Sequence, residues 1–271
     1  MKTKPTTRVS SSSDRASINI ELPTSWQQLS QQELRCVFQI IDAFTADDDN
    51  VPFQVFRRLT GMRVERRDDD NGDFLVSFPT GHRRMRLRCW LSPEALAEHI
   101  EPLSFLSDPG EVPVRLGCIG FGMRKSYRAV NAMLHDVSFR NYIKLENLYQ
   151  GFLSTHDVRD VLKIAAILYP GFRPETDKMH GYEALSIIQW LVQVKAMFAR
   201  TFSHFFRPAS SASATPPRMI DVLNNEIRAL TQGDVTKEAT ILEIDCWRAL
   251  TELNFKAREA EEFNRAKSTK K

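Results

Sequence analysis

The sequence predicts a mainly α-helical protein with a helical bundle-like body, a small antiparallel β-hairpin insertion and a C-terminal helical hairpin. Three observations support this expectation. Apolar residues recur at spacings of three and four over most of the chain, as they do along one face of a helix. Residues 84–90 instead alternate arginine with apolar side chains, which is the period of a half-buried strand. Residues 207–217, rich in proline, serine and alanine, have the composition of a linker before the last helices.

Length and charge set the first limits on function. A chain of 271 residues can bury a sizeable core without disulfides or metals. The 37 basic and 34 acidic residues nearly cancel, so no overall field favours nucleic acid or an anionic membrane. Residues 1–13 are polar, and no window reaches about 18 continuous apolar residues, so we expect neither a secretory signal nor a membrane span. A cytoplasmic location is therefore expected.

The four cysteines are widely separated and form no Cys-x-x-Cys pair. They are Cys36, Cys89, Cys118 and Cys246, and each has apolar neighbours. This spacing argues against a disulfide framework and against a cysteine zinc site. We expect buried thiols in a reducing compartment.

The chain is predicted to pass from a polar tail into helices. Residues 1–18 hold too few apolar side chains to fold, so we expect a disordered polar tail. Ser30 followed by Glu33 matches a capping box at a helix start. The apolar face of that helix holds Leu34, Val37, Phe38, Ile41 and Phe44. A shorter helix over 53–59 is predicted to stop at Gly61.

A change of period marks the β insertion, which we place near 63–90. Residues 74–78 are apolar and aromatic, and the Asn-Gly pair at 71–72 is typical of a tight turn. The strand that follows carries three arginines on one face and three apolar residues on the other. The Ser-Pro pair at 92–93 then predicts the start of a helix.

The second half of the body is predicted to be strongly helical. Apolar stripes at helical spacing run over residues 142–152, 158–169 and 187–205. Short polar connections make antiparallel neighbours the expected arrangement. Residues 101–126, rich in proline and glycine, are expected to be irregular.

Beyond a body at 19–206 and the linker at 207–217, residues 218–271 are predicted to form a C-terminal helical arm. The Gly-Asp pair at 233–234 breaks this arm, and a single long helix is expected over 235–266. One face of that helix has coiled-coil-like spacing and holds Ala239, Leu242, Cys246, Ala249, Leu253, Ala257 and Ala260.

A second apolar face of the same helix holds Ile244, Trp247 and Phe255, about 150° from the first. A helix with two apolar faces must bury both. Two arrangements remain open. Both faces belong to the core of the same molecule, or the second face binds a protein partner. In the second case Ile244, Trp247 and Phe255 are the predicted partner-binding residues, because buried aromatic side chains tend to dominate interfaces. Self-association is also left open.

An arginine-rich stretch provides an alternative site. Arg83, Arg84, Arg86 and Arg88 are candidates for binding nucleic acid from a strand face, with Trp90 as a stacking surface. Four aspartates in the same hairpin oppose this by neutralising the charge. Three interpretations remain: a charge-paired solvent face, an acidic protein partner, and nucleic acid.

No motif supports catalysis, a cofactor or a metal. The glycines and lysine at 117–126 lack the adjacent Gly-Lys-Ser/Thr of a phosphate-binding loop. The aspartates around the 71–72 turn lack the glycine and glutamate positions of a calcium loop. The six histidines form no metal-ligand pair, and the His-Asp pair at 156–157 is expected to cap a helix that opens near Ser154 or Thr155, or to lie on a solvated surface. We therefore predict a non-enzymatic protein with no cofactor and no metal site.

Three groups of segments carry a resemblance to a known group of proteins. The first is Leu-Pro-Thr-Ser-Trp-Gln-Gln-Leu at 22–29. The second combines 142–149, Ser-Thr-His-Asp at 154–157 and Ala-Ala-Ile-Leu-Tyr at 165–169. The third combines Leu-Thr-Gln-Gly-Asp-Val-Thr-Lys-Glu at 230–238 with 247–253. Over most of residues 20–262 the chain resembles proteins encoded by tailed phages and prophages of Bacteroidetes.

This resemblance implies a role in virion morphogenesis, similar to that of a tail-assembly chaperone. It implies a phage structural protein as partner and a location in the host cytoplasm or the virion. It implies no catalytic or ligand residue. Together with the two-faced helix, it leads us to expect a non-enzymatic assembly or adaptor protein. Nucleic-acid binding through the arginine-rich hairpin is the alternative.

Overall fold

The computed structural model describes residues 8–12, 15–44, 50–80, 85–120, 125–206 and 219–268, with the side chains of 8–19, 219–223 and 268 excepted. Helices predominate and a small antiparallel sheet interrupts them, which confirms the predicted fold class. Contacts divide the chain into two compact units, Met1–Gly110 and Glu111–Lys271, and each is described by itself. This division lies far from the predicted linker at 207–217, which falls outside the described residues.

The first unit opens with two short antiparallel strands, β1 (Arg8–Ser12) and β2 (Arg15–Asn19). This differs from the predicted disordered tail at 1–18. The register sets Val9 opposite Ile18.

The first helix, α1 (Gln31–Ala43), begins at the predicted capping box. The Ser30 amide donates to the Glu33 carboxylate at 2.8 Å, and the Glu33 amide donates to the Ser30 hydroxyl. Its inner face buries Leu34, Val37 and Phe38. Trp26 stacks on Phe38, with ring centroids 5.7 Å apart. The predicted helix start and buried face are confirmed.

The second helix, α2 (Asn50–Thr60), begins earlier than expected and ends at Gly61, as predicted. Gly61 has φ +69°, a conformation that glycine adopts at helix ends without steric cost. It turns the chain directly into the first strand of the sheet.

The predicted β insertion is a three-stranded antiparallel sheet in the order β3-β4-β5. Its strands are β3 (Arg63–Arg67), β4 (Phe74–Pro79) and β5 (Arg86–Leu91). The tight turn between β3 and β4 has Gly72 at φ +79°. Then α3 (Pro93–Ile100) follows, capped by Ser92 as predicted. A 3₁₀ helix at Glu101–Ser107 replaces the expected irregular chain.

The second unit has a core of three helices, α4 (Phe139–Thr155), α5 (Val158–Leu168) and α6 (Gly181–Thr201). A short ladder of β6 (Cys118–Ile119) and β7 (Tyr127–Arg128) precedes them. Asp157 caps α5 by accepting from the Arg159 amide at 2.9 Å, which is one of the two roles expected for it, but the helix begins later than the predicted start near Ser154 or Thr155. Val158, however, is 60% exposed, because the first turn of α5 faces away from the core.

The C-terminal helices are α7 (Met219–Thr231), α8 (Glu238–Glu243) and α9 (Cys246–Ser268), with a 3₁₀ turn at Val235–Lys237. The prediction of one continuous helix over 235–266 is wrong. Phe139 donates its amide to the Ile244 carbonyl at 2.8 Å, and Cys246 donates to the Val137 carbonyl at 2.9 Å. This pairing with the start of α4 holds the chain extended between α8 and α9.

The coiled-coil-like face of α9 packs inside its own unit. Cys246, Ala249, Leu250 and Leu253 are buried in the same hydrophobic cluster as residues of α4, α5 and α6. Ala229 and Leu230 of α7 lie against that cluster as well. Residues 219–268 therefore belong to the second compact unit, in contrast to the separate arm predicted at 218–271.

Candidate functional site

Trp247 packs against several residues of its own unit. Its indole nitrogen donates to the Met133 carbonyl at 2.5 Å. Its ring meets Phe198 and Phe202 edge-on, at centroid distances of 5.3 and 5.4 Å, and stacks on His135 at 4.4 Å. The predicted partner-binding tryptophan thus joins α9 to α6 and to the loop before α4.

Ile244 is partly buried against the same cluster, and its carbonyl accepts from Phe139. Two of the three predicted partner-binding residues are therefore engaged in intramolecular packing. The third, Phe255, is 46% exposed. The arrangement divides the predicted face into a packed part and an open part.

Phe263 extends the open part, although the sequence reasoning did not single it out. It is 60% exposed and lies eight residues after Phe255. A cation lies over each ring: Arg258 is 5.1 Å from the Phe255 centroid, and Lys267 is 4.3 Å from that of Phe263. Phe263 lies about 80° around the helix from Phe255, so the stripe of Ile244, Trp247 and Phe255 did not indicate it.

The two phenylalanines lie on the side of α9 that points away from its anchors. At about 100° per residue they are about 80° apart, with Glu259 midway between them. Asn254 and Glu261 lie about 150° from that midpoint. We call the surface formed by Phe255, Glu259, Glu262 and Phe263 the distal α9 face.

The anchors hold the opposite side of the helix to the end of α6. The Asn254 side-chain oxygen accepts from the amides of His204 and Phe205, at 3.0 and 3.1 Å. Glu261 lies 3.2 Å from the imidazole of His204. These contacts fix the rotation of α9, so the distal α9 face is turned outward.

Charges on this face are partly paired. Glu252 lies 2.9 Å from Arg248, and Glu262 lies 3.7 Å from Arg258. Among the residues that the structure describes, Glu259 has no ion-pair partner. The centre of the distal α9 face is therefore a carboxylate outside any described ion pair, between two exposed aromatic rings that Arg258 and Lys267 flank.

The alternative site, the arginine-rich hairpin, makes contacts within the protein at the two of its four candidate arginines that the structure describes. Arg83 and Arg84 lie outside the described residues. Arg86 donates to the Ser77 hydroxyl and to the carbonyls of Gly61 and Ser77, at 2.7–2.9 Å. Arg88 pairs with Glu65 at 2.8 Å.

Glu65 occupies the bulge in β3 and balances part of this charge. A hydrogen bond from Ser77 lowers the pKa of its carboxyl, and the positive charges of Arg88 and Arg86 act in the same direction. Arg86 and Arg88 are the two described members of the predicted row of four arginines. Both make contacts within the protein, so they do not form a free strand face.

No cluster of metal-ligating side chains is found in the described ranges. No three His, Cys, Asp or Glu side chains there are placed to hold a metal ion. Burial, followed by the charge of Asp245, raises the pKa of the Cys246 thiol to about 12, and its sulfur donates to the Leu134 carbonyl. A thiol protonated at neutral pH is a poor nucleophile.

A second titratable group escaped the sequence reasoning. Burial, and then the charge of Glu146, raises the pKa of Glu226 to about 7. Glu146 itself pairs with Lys195 of α6. These groups lie on α4, α6 and α7 and come together only in the fold. No local sequence pattern therefore predicts the site.

Comparison with family models, with curated proteins and with solved structures gave no match. Within the described ranges, no helix combines the length and the apolar character that crossing a bilayer requires. The distal α9 face is therefore the site from which a function is proposed.

Proposed function

We propose that this protein is a non-enzymatic interaction protein that docks a segment of another protein against the distal α9 face. The observation that carries this proposal is the exposure of Phe255 and Phe263, 46% and 60%, on a helix whose other side is firmly anchored. Clustered aromatic side chains on a rigid helix are the kind of anchor that dominates protein interfaces.

The charge pattern defines the partner. Glu259, unpaired among the described residues, lies between the two rings, so a complementary partner carries a lysine or arginine between two apolar positions. An amphipathic helix presents residues in this way, and helix docking is a recurring mode of recognition. The partner expected is therefore an amphipathic helix with a basic centre.

A second copy of this chain fits the face poorly. In an antiparallel pair of α9 helices, one register places Phe255 against Phe263 of the partner subunit. The same register sets the two Glu259 side chains against each other on the two-fold axis. Like charges juxtaposed in an interface oppose association. This favours a different protein over self-association.

The resemblance to tailed-phage proteins directs the choice of partner. It suggests a structural protein of the particle, whose apolar segment this chain would cover during assembly. Transient cover of an exposed apolar helix is what an assembly chaperone supplies. Capsid and tail proteins are therefore the first partners to test.

Capture experiments test the proposal with a closely matched control. The double variant Phe255→Ala/Phe263→Ala removes the two rings. The control Leu153→Ala/Val158→Ala removes two apolar side chains of the same unit that are 48% and 60% exposed. The immobilised full-length chain, incubated with lysate from its source cells, is expected to retain a partner that the first variant loses and the control keeps.

Charge reversal adds a second criterion. Glu259→Lys is expected to weaken capture of the same protein, because it sets like charges against each other. Equal recovery by the wild type, the double phenylalanine variant and Glu259→Lys would overturn the proposal.

A further inference from the structure

An open cleft in the first unit, with a volume of about 470 Å³, collects four arginines. They are Arg57, Arg58, Arg63 and Arg86, and none of the described residues that line the cleft is an aspartate or glutamate. Four guanidinium groups around one concavity repel one another. An anion bound between them would offset this repulsion. The composition of the walls therefore favours a negatively charged ligand.

The fold assembles this cluster from three elements. Arg57 and Arg58 lie in the last turn of α2, where positive charge also complements the helix dipole. The left-handed turn at Gly61 then brings Arg63, the first residue of β3, beside that turn. The helix dipole explains why Arg57 and Arg58 are favourable where they are. It does not explain why Arg63 and Arg86 also line the cleft.

Arg86 is pre-organised in the cleft. Its Nε and Nη2 donate to Ser77 and Gly61 at 2.7–2.9 Å, which fixes the plane of the guanidinium. Its Nη1 has no acceptor among the described residues. A fixed guanidinium with free donors loses little entropy when it binds an oxyanion.

The guanidinium of Arg57 is held by two neighbours on α2. Its Nη1 donates to the Gln54 amide oxygen at 3.1 Å, and its guanidinium lies 5.7 Å from the Phe53 ring. Its Nε is buried without an acceptor among the described residues. Arg57 thus lines the cleft with its guanidinium held between Gln54 and Phe53.

The remaining charges nearby do not cancel the cluster. Among the described residues, none of Arg57, Arg58 and Arg63 has a carboxylate within ion-pair distance. Glu65 pairs with Arg88 and does not line the cleft. The net charge of the cleft wall is therefore strongly positive.

We propose that this cleft binds the phosphate group of a nucleotide. Phosphate offers several acceptor oxygens, which match the forked donors of two or more arginines. The cleft also has apolar walls at Ile40, Phe44, Met62 and Pro79, which suit a flat, weakly polar base. Its volume lies within the range of small-molecule sites.

Titration calorimetry on the full-length chain at low salt tests this with defined probes. Adenosine monophosphate is expected to bind, and adenosine, which lacks the phosphate, is expected to bind at least about tenfold more weakly. A single-stranded oligonucleotide without terminal phosphate distinguishes the source. Its binding would assign the site to strand phosphates, and binding of the monophosphate alone would assign it to free nucleotides.

Variants connect the binding to the cleft. Arg57→Gln and Arg63→Gln are each expected to weaken the phosphate-bearing probe by at least about tenfold. Arg66→Gln is the matched control, because Arg66 is also exposed on β3 but does not line the cleft. Arg63 is exposed, so its replacement leaves the core intact, and circular dichroism of each variant verifies this.

The proposal is overturned if no phosphate-bearing probe binds, if adenosine binds equally well, or if Arg66→Gln weakens binding as much as the cleft variants. It is independent of the docking proposal. Phe255→Ala/Phe263→Ala is expected to bind the nucleotide like the wild type, so failure of one proposal leaves the other standing.

Discussion

The two halves of α9 belong to one helix but have opposite surroundings. In the first half, Cys246, Leu250 and Leu253 are at most 4% exposed. In the second half, Phe255 and Phe263 are 46% and 60% exposed. The buried residues lie on the coiled-coil-like face, and Phe255 lies on the second apolar face, on nearly the opposite side of the helix. A periodic pattern therefore shows which sides of a helix are apolar, and neighbouring elements decide which of those sides is covered.

The largest effect is expected from Leu250→Ala, in the buried half. Leu250 is fully buried in the cluster shared with α4 and α6, and its truncation leaves a cavity. The free energy of unfolding is expected to fall by about 2–5 kcal/mol, measured by chemical denaturation of the full-length chain. A loss as small as that caused by a surface substitution would remove the distinction between the two halves.

The next effect concerns Glu226 on α7, the helix against which α9 packs. The raised pKa, about 7 against an ordinary value of 4.5, means that the folded protein holds a proton that the unfolded chain has released. Between these two values, stability therefore falls as pH rises. Above pH 7 the loss is at most about 3 kcal/mol.

Glu226→Gln is expected to remove that component. The variant should unfold at higher denaturant concentration than the wild type near pH 8, and the two proteins should converge near pH 4. Glu259→Gln, on the exposed half of α9, is the matched control for the substitution itself. An identical pH profile for Glu226→Gln and the wild type would contradict the burial of this carboxyl.

A smaller effect is expected where the two-faced helix is interrupted. Asp245 accepts from the Trp247 amide at 2.9 Å and so caps the first turn of α9. Asp245→Ala is expected to cost about 1 kcal/mol, and Asp245→Asn, which keeps an acceptor, should cost less. Thermal unfolding of the three proteins provides the comparison. Equal stability of Asp245→Ala and the wild type would show that backbone pairing with the start of α4 alone sets the break.

The smallest effect on stability is expected from Phe255→Ala and Phe263→Ala. Exposed positions away from caps and cores change the free energy of unfolding by no more than about 0.5 kcal/mol. Chemical denaturation tests this beside Leu250→Ala. A loss comparable to that of Leu250→Ala would show that these rings are buried in solution, against the exposure described above.

Local signals in the sequence predicted the local structure well. The capping box at Ser30 and Glu33, the helix stop at Gly61 and the cap at Asp157 all depend on residues within four positions. The break before α9 could not be predicted in this way. Its cause is hydrogen bonding to Val137 and Phe139, which are remote in the chain.

The candidate sites show the same division. Phe255 was identified from its place in an apolar stripe, and its exposure required the fold. Trp247 was placed in the same stripe, but it packs edge-on against Phe198 of α6 and against Phe202, which follows that helix. The arginine cleft joins the end of α2 to β5, so the pattern within the hairpin indicated Arg86 and missed Arg57.

Site-specific photocrosslinking measures the central claim most directly. A photoreactive benzoyl-phenylalanine is placed at position 263 of the full-length chain, and in a separate protein at position 158, which is equally exposed in the second unit. The account predicts that position 263 crosslinks to one partner protein and position 158 does not. Crosslinks from position 263 to this same chain alone, or the same partner recovered from both positions, would contradict docking at the distal α9 face.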